Sequence, residues 1–410
     1  MHVICCANWK RCRSGQGGFE MNVLCLGGAG KICSEAVLDL VAFSDFKRIT
    51  IADCNQKAGE SLVETINDKR VDFRPVDVRQ KQATVSLMNE YDIVMDGTTI
   101  HLNDQSTACI AAAGCHGINL NGFGVEYAYD DQFKSTGRVH VPGFGMTPGI
   151  TDMMVRYAAD QLDTVEIVRV SHGAFRPIAF SPSITETTTY EYDPDLAERV
   201  VFEDGQFIQV SPFARERLID LPEPFGRHPQ WIIPHAETRT AHAYLKDKGV
   251  RLIEVRGTWP PKNMQLVRAL YEWGFLRNES IPVGSETVGI MDAISLYLQQ
   301  APEGRQTELY GYALHVQVIG QRAERRYEHI LTNTHPSSDG SVEDWTGLRA
   351  YTRSVGIPLA IGVQLIAAEA VAGSGVIMPE FAFEPQTVID ELARRKILIH
   401  ETIVDLSADD

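Results

Sequence analysis

The first third of the chain alternates between short apolar runs and stretches with helical spacing of apolar residues. The apolar runs have the length of buried strands and comprise 23–26, 49–52, 71–73, 91–95 and 117–120. The helical stretches between them cover 36–41, 58–67 and 105–113. Such alternation is typical of parallel strands joined by helices. We therefore predict an α/β Rossmann domain with a doubly wound parallel sheet over residues 21–145.

Beyond residue 139 the hydrophobic period changes. Apolar and polar residues alternate with period two over segments that read as strands, namely 165–172, 200–210, 252–256 and 311–320. These strands lack the spacing of β-α-β units, which favours a mostly antiparallel sheet with helices on one face. We predict a second α+β domain over residues 146–350.

A glycine-rich turn follows the first predicted strand. Val23-Leu24-Cys25-Leu26 runs directly into Gly27-Gly28-Ala29-Gly30-Lys31-Ile32-Cys33, and a helical pattern follows. Glycines at 28 and 30 allow a tight turn and a close approach to a pyrophosphate at the helix N-terminus. Cys33 replaces the third glycine of this fingerprint, at the position that governs packing of the helix on the strand. The order of elements predicts a dinucleotide site, the alternative being an α/β turn that binds nothing.

Later strand ends extend the expected cofactor site. Asp53 closes the second strand, where its carboxylate can accept hydrogen bonds from the adenosine ribose hydroxyls. The segment 76–78 is a natural place for the adenine, and the turn 96–99 lies on the nicotinamide side, with an ordinary β-to-α turn as the alternative. The predicted cofactor contacts are Gly28, Ala29, Gly30, Lys31, Ile32, Asp53, Asp77, Val78, Thr98 and Thr99. Because no arginine stands beside Asp53, NAD is favoured, while NADP stays open since a basic residue from a later turn can reach the ribose.

Charge and composition narrow the partners. The chain has 54 acidic and 38 basic residues, a net charge of −16, and no basic run, which argues against nucleic acid or an anionic membrane as a partner. No stretch reaches the roughly 18 uninterrupted apolar residues of a membrane span. The eight cysteines include no C-x-x-C pair, so we expect reduced thiols, a cytoplasmic location and no metal site. Residues 1–20, with Cys5, Cys6 and Cys12, are expected to be an extension outside the fold.

The order and spacing of several motifs resemble the saccharopine dehydrogenase family, in its lysine 6-dehydrogenase-like and carboxynorspermidine dehydrogenase-like branch. The resemblance covers the chain from Met21 to about Glu401. Besides the glycine turn it is carried by Pro142-Gly143, Thr147-Pro148-Gly149, Pro234-His235-Ala236-Glu237-Thr238, Arg256-Gly257-Thr258-Trp259, Val355-Gly356-Ile357-Pro358 and 375–380. Asn119 departs from the pattern, since many relatives carry aspartate after the fifth strand.

The resemblance implies an NAD(P)-dependent oxidoreductase acting on the C–N bond of an amino acid or polyamine-like substrate, by oxidative deamination or reductive condensation. It also implies a homodimer built by the substrate domain, and a C-terminal helical segment, 351–410, that packs back on the Rossmann domain. An apolar helix at 358–371 and an amphipathic one at 387–396 are compatible with that segment. The alternatives are an enoyl or carbonyl reductase on the same scaffold, or a non-catalytic NAD-binding redox sensor.

His235 and Glu237 are the candidate catalytic residues. Oxidation of an amine by hydride transfer needs a base that takes a proton from nitrogen, and the reverse reaction needs an acid at the same place. His235 suits both roles because an unperturbed histidine has a pKa of about 6.5. Glu237 can orient it or pair with a substrate ammonium, and in an extended segment the two side chains face the same side. The alternative for His235 is a structural histidine at a domain junction.

A substrate carboxylate calls for a fork-shaped cation, and Arg176 and Arg239 are the candidates. Arginines are also common in surface salt bridges, which is the alternative for both. The hydroxyl-rich segment 183–192 is expected to be a loop suited to a polar substrate, with Thr188 and Tyr190 as contacts. A run of threonines is equally typical of an edge strand.

Overall fold

The computed structural model describes residues 2–3, 21–277, 279–334 and 345–408. The strands within these ranges are β1 His2–Val3, β2 Asn22–Leu26, β3 Arg48–Asp53, β4 Val71–Pro75, β5 Ile93–Asp96, β6 His116–Asn119, β7 Val139–Val141, β8 Thr164–Phe175, β9 Val200–Glu203, β10 Gln206–Gln209, β11 Arg217–Leu221, β12 Gly226–Ile232, β13 Leu252–Thr258, β14 Ser280–Val283, β15 Glu286–Gly289, β16 Gly311–Arg322, β17 Arg325–Thr334, β18 Gly375–Val376 and β19 Leu398–Asp405.

The α-helices of the same ranges connect and cover these strands. They are α1 Cys33–Phe43, α2 Gln56–Ile66, α3 Lys81–Met88, α4 Asn103–Ala113, α5 Asp130–Ser135, α6 Ile150–Ala159, α7 Pro182–Tyr190, α8 Glu237–Leu245, α9 Pro261–Glu272, α10 Ile290–Gln300, α11 Leu348–Ala367, α12 Pro379–Ala382 and α13 Pro385–Arg394.

The chain divides into two compact units. Of the described residues, 21–153 and 352–396 form the parallel-sheet unit, and 2–3, 154–351 and 397–408 form the mixed-sheet unit. The first boundary lies inside helix α6, eight residues beyond the end predicted for the Rossmann domain (153 − 145). Both chain ends of the described structure belong to the mixed-sheet unit.

The described parallel-sheet unit is a seven-stranded sheet in the order β18-β7-β6-β5-β2-β3-β4, and every pair in it is parallel. Apolar runs such as Val23-Leu24-Cys25 are fully buried because helices cover such a sheet on both faces. The strand order reverses between β2 and β5, which creates the crevice where open α/β sheets bind ligands. The predicted doubly wound fold is confirmed.

The turns after β2 and β5 touch at this reversal point. Gly27 has a φ of +69°, and a Cβ placed on it would lie 2.8 Å from the carbonyl oxygen of Gly97. A Cβ on Gly97 would in turn lie 1.9 Å from Sγ of Cys33. The side chain of Cys33 therefore fills the space that Gly97 leaves empty, which explains why a thiol is accommodated where the fingerprint has its third glycine.

The returning C-terminal chain packs on helix α1. A Cβ on Gly356 of α11 would lie 2.6 Å from the carbonyl oxygen of Ile32, so the two helices approach closely at this glycine. The Arg395 guanidinium, whose side chain is fully buried, pairs with Asp39 of α1 at 2.7 Å and with Glu391 of α13 at 2.5 Å. This buried three-charge cluster ties α13 to the parallel-sheet unit.

The predictions for both chain ends need correction. Residues 397–408 do not pack with the Rossmann domain as predicted, because β19 pairs antiparallel with β17 in the mixed-sheet unit. Residues 2–3 are not outside the fold either, because β1 pairs with β19. An edge strand leaves backbone N–H and C=O groups unpaired, and these additions cover the edge of β17. Residues 4–20, including the three early cysteines, lie outside the described part of the chain.

The described mixed-sheet unit contains a ten-stranded sheet, with the path β1-β19-β17-β16-β8-β13-β12-β11 and the hairpin β9–β10 attached to β13. Among its described pairs β8–β13 is parallel and the others are antiparallel. The prediction of a second, mostly antiparallel domain is confirmed. Strands β14 and β15 form a separate hairpin.

Helix α11 is long and apolar enough to span a bilayer by length and mean hydropathy alone. Its most apolar window is 83% buried inside the protein, as is typical of a core helix. No other helix in the described ranges meets these criteria.

We expect the Arg395→Met variant to lose about 3–5 kcal/mol of unfolding free energy, because it leaves the buried carboxylate of Asp39 without its ion-pair partner, while Glu391 keeps only the partly exposed Arg394. Denaturant unfolding followed by circular dichroism measures this loss. Arg394→Met is the matched control, since its side chain is 35% exposed rather than 0% and a change of at most about 1 kcal/mol is expected. Equal losses in the two variants would contradict the assigned role of the buried cluster.

Candidate active site and cofactor site

The glycine turn has the shape of a phosphate cradle. A Cβ on Gly28 would lie 2.6 Å from the carbonyl oxygen of Cys25, so the chain turns too tightly for a side chain there. Gly30 is different, because its missing Cβ would meet only the carbonyl oxygen of Gly27, at 3.1 Å. The turn leads through Ala29, Lys31 and the N-cap Ile32 into α1, and Ile32 makes no side-chain cap. The positive helix N-terminus is therefore presented to an anion, and the residues present fit a dinucleotide.

Asp53 lies where the ribose of such a cofactor would be held. Its Oδ2 accepts a hydrogen bond from the backbone N–H of Ala29 at 3.2 Å, and Oδ1 accepts one from the N–H of Asn55 at 2.8 Å. The carboxylate is thereby fixed against the glycine turn. Each oxygen retains a second lone pair that can accept from a hydroxyl.

A cavity of about 540 Å³ opens beside this carboxylate. Its lining residues are Cys54, Arg74, Pro75, Val76, Asp77, Gln80, Ala83 and Leu87. The predicted contact Asp77 is among them and pairs with Arg79 at 2.9 Å. The side chain of the predicted Val78 is instead buried in the core, and Val76 takes its place in the lining.

Arg74 is a basic residue on the strand next to the one that ends at Asp53, as the sequence analysis left open. Strand β4 pairs with β3 so that Arg74 is opposite Ala52 and Pro75 opposite Asp53. The Arg74 side chain is exposed and makes no hydrogen bond or ion pair with any residue of the described ranges. A cation on the neighbouring strand is a feature that the sequence next to Asp53 does not reveal.

The turn after β5 is held by a buried acid that the sequence analysis missed. Asp96 accepts hydrogen bonds from the N–H of Thr98 at 2.9 Å and from the hydroxyl of Ser106 at 2.5 Å. Burial raises the pKa of its carboxyl group. Thr98 also donates to Ser106, and Thr99 precedes a short 3₁₀ helix. The predicted Thr98 and Thr99 thus lie at the strand end where ligands bind.

The departure at Asn119 has a structural reason. Its Nδ2 donates to Oε1 of Glu126 at 3.0 Å and to Oδ1 of Asn103 at 2.9 Å, and all three residues are buried. An aspartate at 119 would lack this donor and would face a second buried carboxylate. Asn119 therefore suits a chain that carries Glu126.

The predicted catalytic pair comes together in the mixed-sheet unit. His235 Nδ1 lies 3.4 Å from Oε2 of Glu237, and its Nε2 lies 3.9 Å from Oε1 of Glu191. Although burial disfavours the cation, the two carboxylates raise the pKa of His235 to about 10. His235 is therefore an imidazolium at neutral pH. The sequence analysis assumed the ordinary histidine pKa of about 6.5 instead.

The sequence analysis assumed that His235 and Glu237 lie in one extended segment, and this is wrong. Glu237 is the first residue of helix α8, and His235 precedes the helix. The carboxylate thus lies at a helix N-terminus, where the macrodipole stabilises its negative charge. The geometry at this helix start still brings the two side chains together.

His172 packs against the ring of His235, at 5.4 Å between centroids. Its Nδ1 forms a 3.0 Å hydrogen bond with the hydroxyl of Tyr312, and that ring stacks on it at 5.5 Å. Burial and the nearby cationic His235 lower the pKa of His172 well below its usual value. A neutral and a charged imidazole therefore lie in contact, with their ring planes tilted by 32°. The pattern offered a signal, because His172 continues the inward positions of strand β8.

Arg176 occupies the other end of this cluster. It is buried, its Nη2 donates to Oγ1 of Thr188 at 2.9 Å, and its guanidinium lies 5.6 Å from the ring centre of Tyr351. Its Nε has no hydrogen-bond partner among the described residues. The structure thus brings Arg176 and Thr188 together as a cationic site on the unit that holds His235.

The segment 183–192 is neither a loop nor an edge strand. Residues Pro182–Tyr190 form helix α7, with proline in its first turn. The threonines are tolerated because their hydroxyls donate to carbonyls four residues earlier, as Thr185 does to Ser181 and Thr187 to Ser183. The helix ends just before Glu191, which places that acid beside His235.

Two predicted substrate contacts are not brought to this cluster by any described contact. Arg239 is exposed on α8 and stacks over Phe207 at 4.8 Å. Residues two apart on a helix point to nearly opposite sides, so Arg239 points away when Glu237 points inward. Tyr190 is half-buried at the end of α7, and desolvation raises its pKa. Its neighbour Tyr192 is fully buried against Trp259.

Comparison with known families matches two successive domains. Residues 23–140 match the saccharopine dehydrogenase NADP binding domain, and residues 145–398 match the saccharopine dehydrogenase C-terminal domain. The chain belongs to the saccharopine dehydrogenase family. The parallel-sheet unit with its glycine turn is accordingly the family's NAD(P)-binding domain, and the resemblance inferred from the motifs is confirmed.

Relatives of this saccharopine dehydrogenase family chain are distant in sequence. Carboxyaminopropylagmatine dehydrogenase of Synechocystis sp. is 24% identical over 237 residues, which cover 51% of this chain and 56% of that protein. The chain thus matches little more than half the length of this curated relative. Saccharopine dehydrogenase (L-Glu forming) of Saccharomyces cerevisiae has a TM-score of 0.69 at 13% identity, with 94% of this chain and 100% of that chain covered. Homospermidine synthase of Legionella pneumophila, solved with NAD, has a TM-score of 0.60 at 13% identity, with 93% of this chain and 91% of that chain covered.

In the described part of this family member no group of three His, Cys, Asp or Glu side chains is placed to hold a metal ion. The clusters described above consist of hydrogen-bonded and ion-paired residues.

We expect Gly30→Val to abolish nucleotide binding while the protein stays folded. The new side chain meets only one carbonyl oxygen of the protein, yet it occupies the space that a pyrophosphate needs. Fluorescence titration with NAD and NADP, beside a thermal melt, checks both parts. Gly28→Val serves as contrast, because its clash with Cys25 should lower the melting temperature as well. Retained binding in Gly30→Val would show the turn to be purely structural.

We expect Asp53 and Arg74 to set cofactor choice in opposite directions. Asp53→Ala should weaken the binding of NAD and raise the affinity for NADP relative to that for NAD, because a carboxylate binds ribose hydroxyls and repels a ribose phosphate. Arg74→Ala should weaken NADP by about tenfold and leave NAD nearly unchanged, since the cation can pair only with the phosphate. Dissociation constants for both cofactors on both variants decide this. Identical ratios in wild type and variants would refute both assignments.

Proposed function

We propose that this protein is an NAD(P)-dependent oxidoreductase that acts on the C–N bond of an amino acid or polyamine-like substrate. The observation that carries the proposal is the imidazolium of His235, whose side chain is only 10% exposed, held between the buried Glu191 and Glu237. Membership of the saccharopine dehydrogenase family and the fitted glycine turn support the cofactor half of the proposal. A redox sensor without catalysis would have no use for such a buried ionised cluster.

The nicotinamide, when bound, supplies or accepts the hydride. The protein residues deal with protons and charge. His235 in its charged form can donate a proton to the nitrogen of an imine, as reductive condensation requires, and in its neutral form it can take one from an amine. Glu237 keeps the ring oriented from the start of helix α8 and stabilises the charged form.

The charged ends of the proposed substrate have matching groups in this unit. Arg176 is a buried, fork-shaped cation with an unpartnered Nε among the described residues, and it suits a carboxylate. Glu191 and Glu237 suit an ammonium group. A carbonyl or enoyl reductase would need no such carboxylates near its acid, which favours the amine substrate.

Two further features are part of the proposal. We place the protein in the cytoplasm, supported by the free thiols of every cysteine in the described ranges. A homodimer is supported by large exposed apolar side chains within 261–300, where Trp273 is 80% and Tyr297 71% exposed. Light scattering should give twice the monomer mass, and Trp273→Ser with Tyr297→Ser should shift the mass toward the monomer. An unchanged mass in this variant would place the interface elsewhere.

The function is tested by absorbance of reduced nicotinamide with a panel of lysine, opines and diamines. We expect His235→Asn and Glu237→Gln to lower kcat by about 10² or more, the usual scale for positioned acid–base groups, with cofactor affinity unchanged. Glu198→Gln, on the surface, is the matched control. Turnover of both variants at the wild-type rate would locate the catalytic groups elsewhere.

The pH dependence follows from the raised pKa of His235. Amine oxidation needs the neutral ring, so its kcat/KM, which reports the ionisation of the free enzyme, should rise with pH toward about 10, whereas kcat/KM for imine reduction should fall over the same range. The same shift stabilises the fold: the contribution is full below pH 6.5 and is lost as the pH rises through about 10. The melting temperatures of wild type and His235→Asn, plotted against pH, should therefore converge at alkaline pH. Parallel curves across this range would contradict the ion cluster.

A further inference from the structure

Glu191 carries a carboxylate oxygen that no described residue satisfies. The residue is buried, and its Oε1 lies 3.9 Å from Nε2 of His235. Its Oε2 has no hydrogen-bond partner among the described residues. Buried polar groups in native proteins are nearly always paired, so an orphaned carboxylate oxygen beside a titratable ring points to a ligand that donates a hydrogen bond.

Several elements contribute the titratable and charged groups around His235. They are Glu191 after α7, Glu237 at the start of α8, His172 on β8 and Tyr312 on β16, with the cations Arg176 after β8 and Arg199 before β9 beyond them. Arg199 does not satisfy the orphaned oxygen, because its Nη2 donates to the backbone carbonyls of Glu191 and Asp193 instead, at 2.5 and 2.9 Å.

The two carboxylates hold His235 unequally. Glu237 is closer to the ring, at 3.4 Å against 3.9 Å for Glu191, and lies at a helix N-terminus that stabilises its charge. Glu191 follows the C-terminal end of its helix and has no such support. Of the two carboxylates, Glu191 therefore loses less interaction energy when it leaves His235 for another cation.

We propose that Glu191 binds the ammonium group of the substrate, and that this binding draws it from His235 so that Nε2 of the ring releases its proton. The proposal rests on the proposed function, because it assigns a substrate amine to the same site. One ammonium ion enters and one proton leaves to solvent, so the charge of the cluster is unchanged and only the Nε2–H bond breaks.

The exchange leaves His235 ready to act as a base. Its remaining proton is on Nδ1, which lies 3.4 Å from Oε2 of Glu237, while the lone pair of Nε2 faces the side on which Glu191 holds the amine. A cation close to the ring and the loss of one carboxylate partner both disfavour the imidazolium. The substrate thus converts an acid into the base that its own oxidation requires.

Isothermal titration calorimetry with 1,4-diaminobutane and with L-lysine tests this without turnover. The titrations are run at mildly alkaline pH, below the pKa of about 10 of His235, in buffers of different ionisation enthalpy. We expect about one proton to be released for each amine bound by the wild type. Glu191→Gln should bind about tenfold to hundredfold more weakly and release no proton. Glu198→Gln, exposed on the same segment, should match the wild type in both respects.

The ligand-free protein offers a second readout. Histidine ring signals in NMR titrations, with His235 assigned through His235→Asn, should show a lower pKa for His235 in Glu191→Gln and an unchanged one in Glu198→Gln. A purely structural role of Glu191 would lower the melting temperature without moving this titration.

Each other outcome overturns the proposal. Undiminished amine binding by Glu191→Gln removes Glu191 from the ammonium site, and binding without proton release refutes the exchange. Failure of both probes to bind the wild type at tens of millimolar refutes the ammonium site itself. Turnover assays judge the proposed function separately, since an enzyme that oxidises amines without releasing a proton on binding retains that function and loses only this inference.

Discussion

The parallel pairing of β8 with β13 is the constraint on which the site in the mixed-sheet unit depends. In this register His172 is directly opposite Gly257, and a Cβ on that glycine would lie 2.6 Å from Nε2 of the histidine. The bare glycine therefore makes room for the imidazole above the sheet. His235 packs on that imidazole, and Trp259, two residues beyond Gly257, lies with its edge against it. The inward-facing residues of two neighbouring strands thus form the surface on which His235 packs.

The burial of charge is the second determinant. Two carboxylates and Arg176 are buried in one unit and the imidazolium of His235 is 10% exposed, which destabilises the fold unless each charge has a partner. His235 has two such partners and Arg176 has a hydroxyl and an aromatic face. Among the described residues, however, Oε2 of Glu191 and Nε of Arg176 have no hydrogen-bond partner. Buried polar groups of native proteins are nearly always paired, so each unpaired one requires an explanation, and a bound ligand is one.

The parallel-sheet unit shows the same coupling of neighbours. Cys33 breaks the glycine fingerprint, yet the bare Gly97 of the adjacent turn accepts its sulphur atom. Asn119 breaks the family pattern, yet it provides the donor that the buried Glu126 requires. Both departures are compensated by a residue outside the motif that is adjacent in space, namely Gly97 for Cys33 and Glu126 for Asn119. Each residue departs from the family motif in the sequence, but in the fold it is complementary to a neighbouring residue.

The sequence by itself determined the features whose physics is local. The hydrophobic period distinguished the two sheets. Asp53 follows the glycine turn by one helix and one strand, and His235 and Glu237 are two residues apart, so each of these groups could be recognised from a short stretch of sequence. Only the tertiary structure decided the residues that meet across elements. Arg74 reaches the neighbourhood of Asp53 through strand pairing, Glu191 reaches His235 because the threonine-rich segment folds as a helix, and residues 397–408 leave the first unit to cover an open sheet edge. Periodicity reports which face of an element is buried, but the register and end of each neighbouring element decide which side chains share that burial.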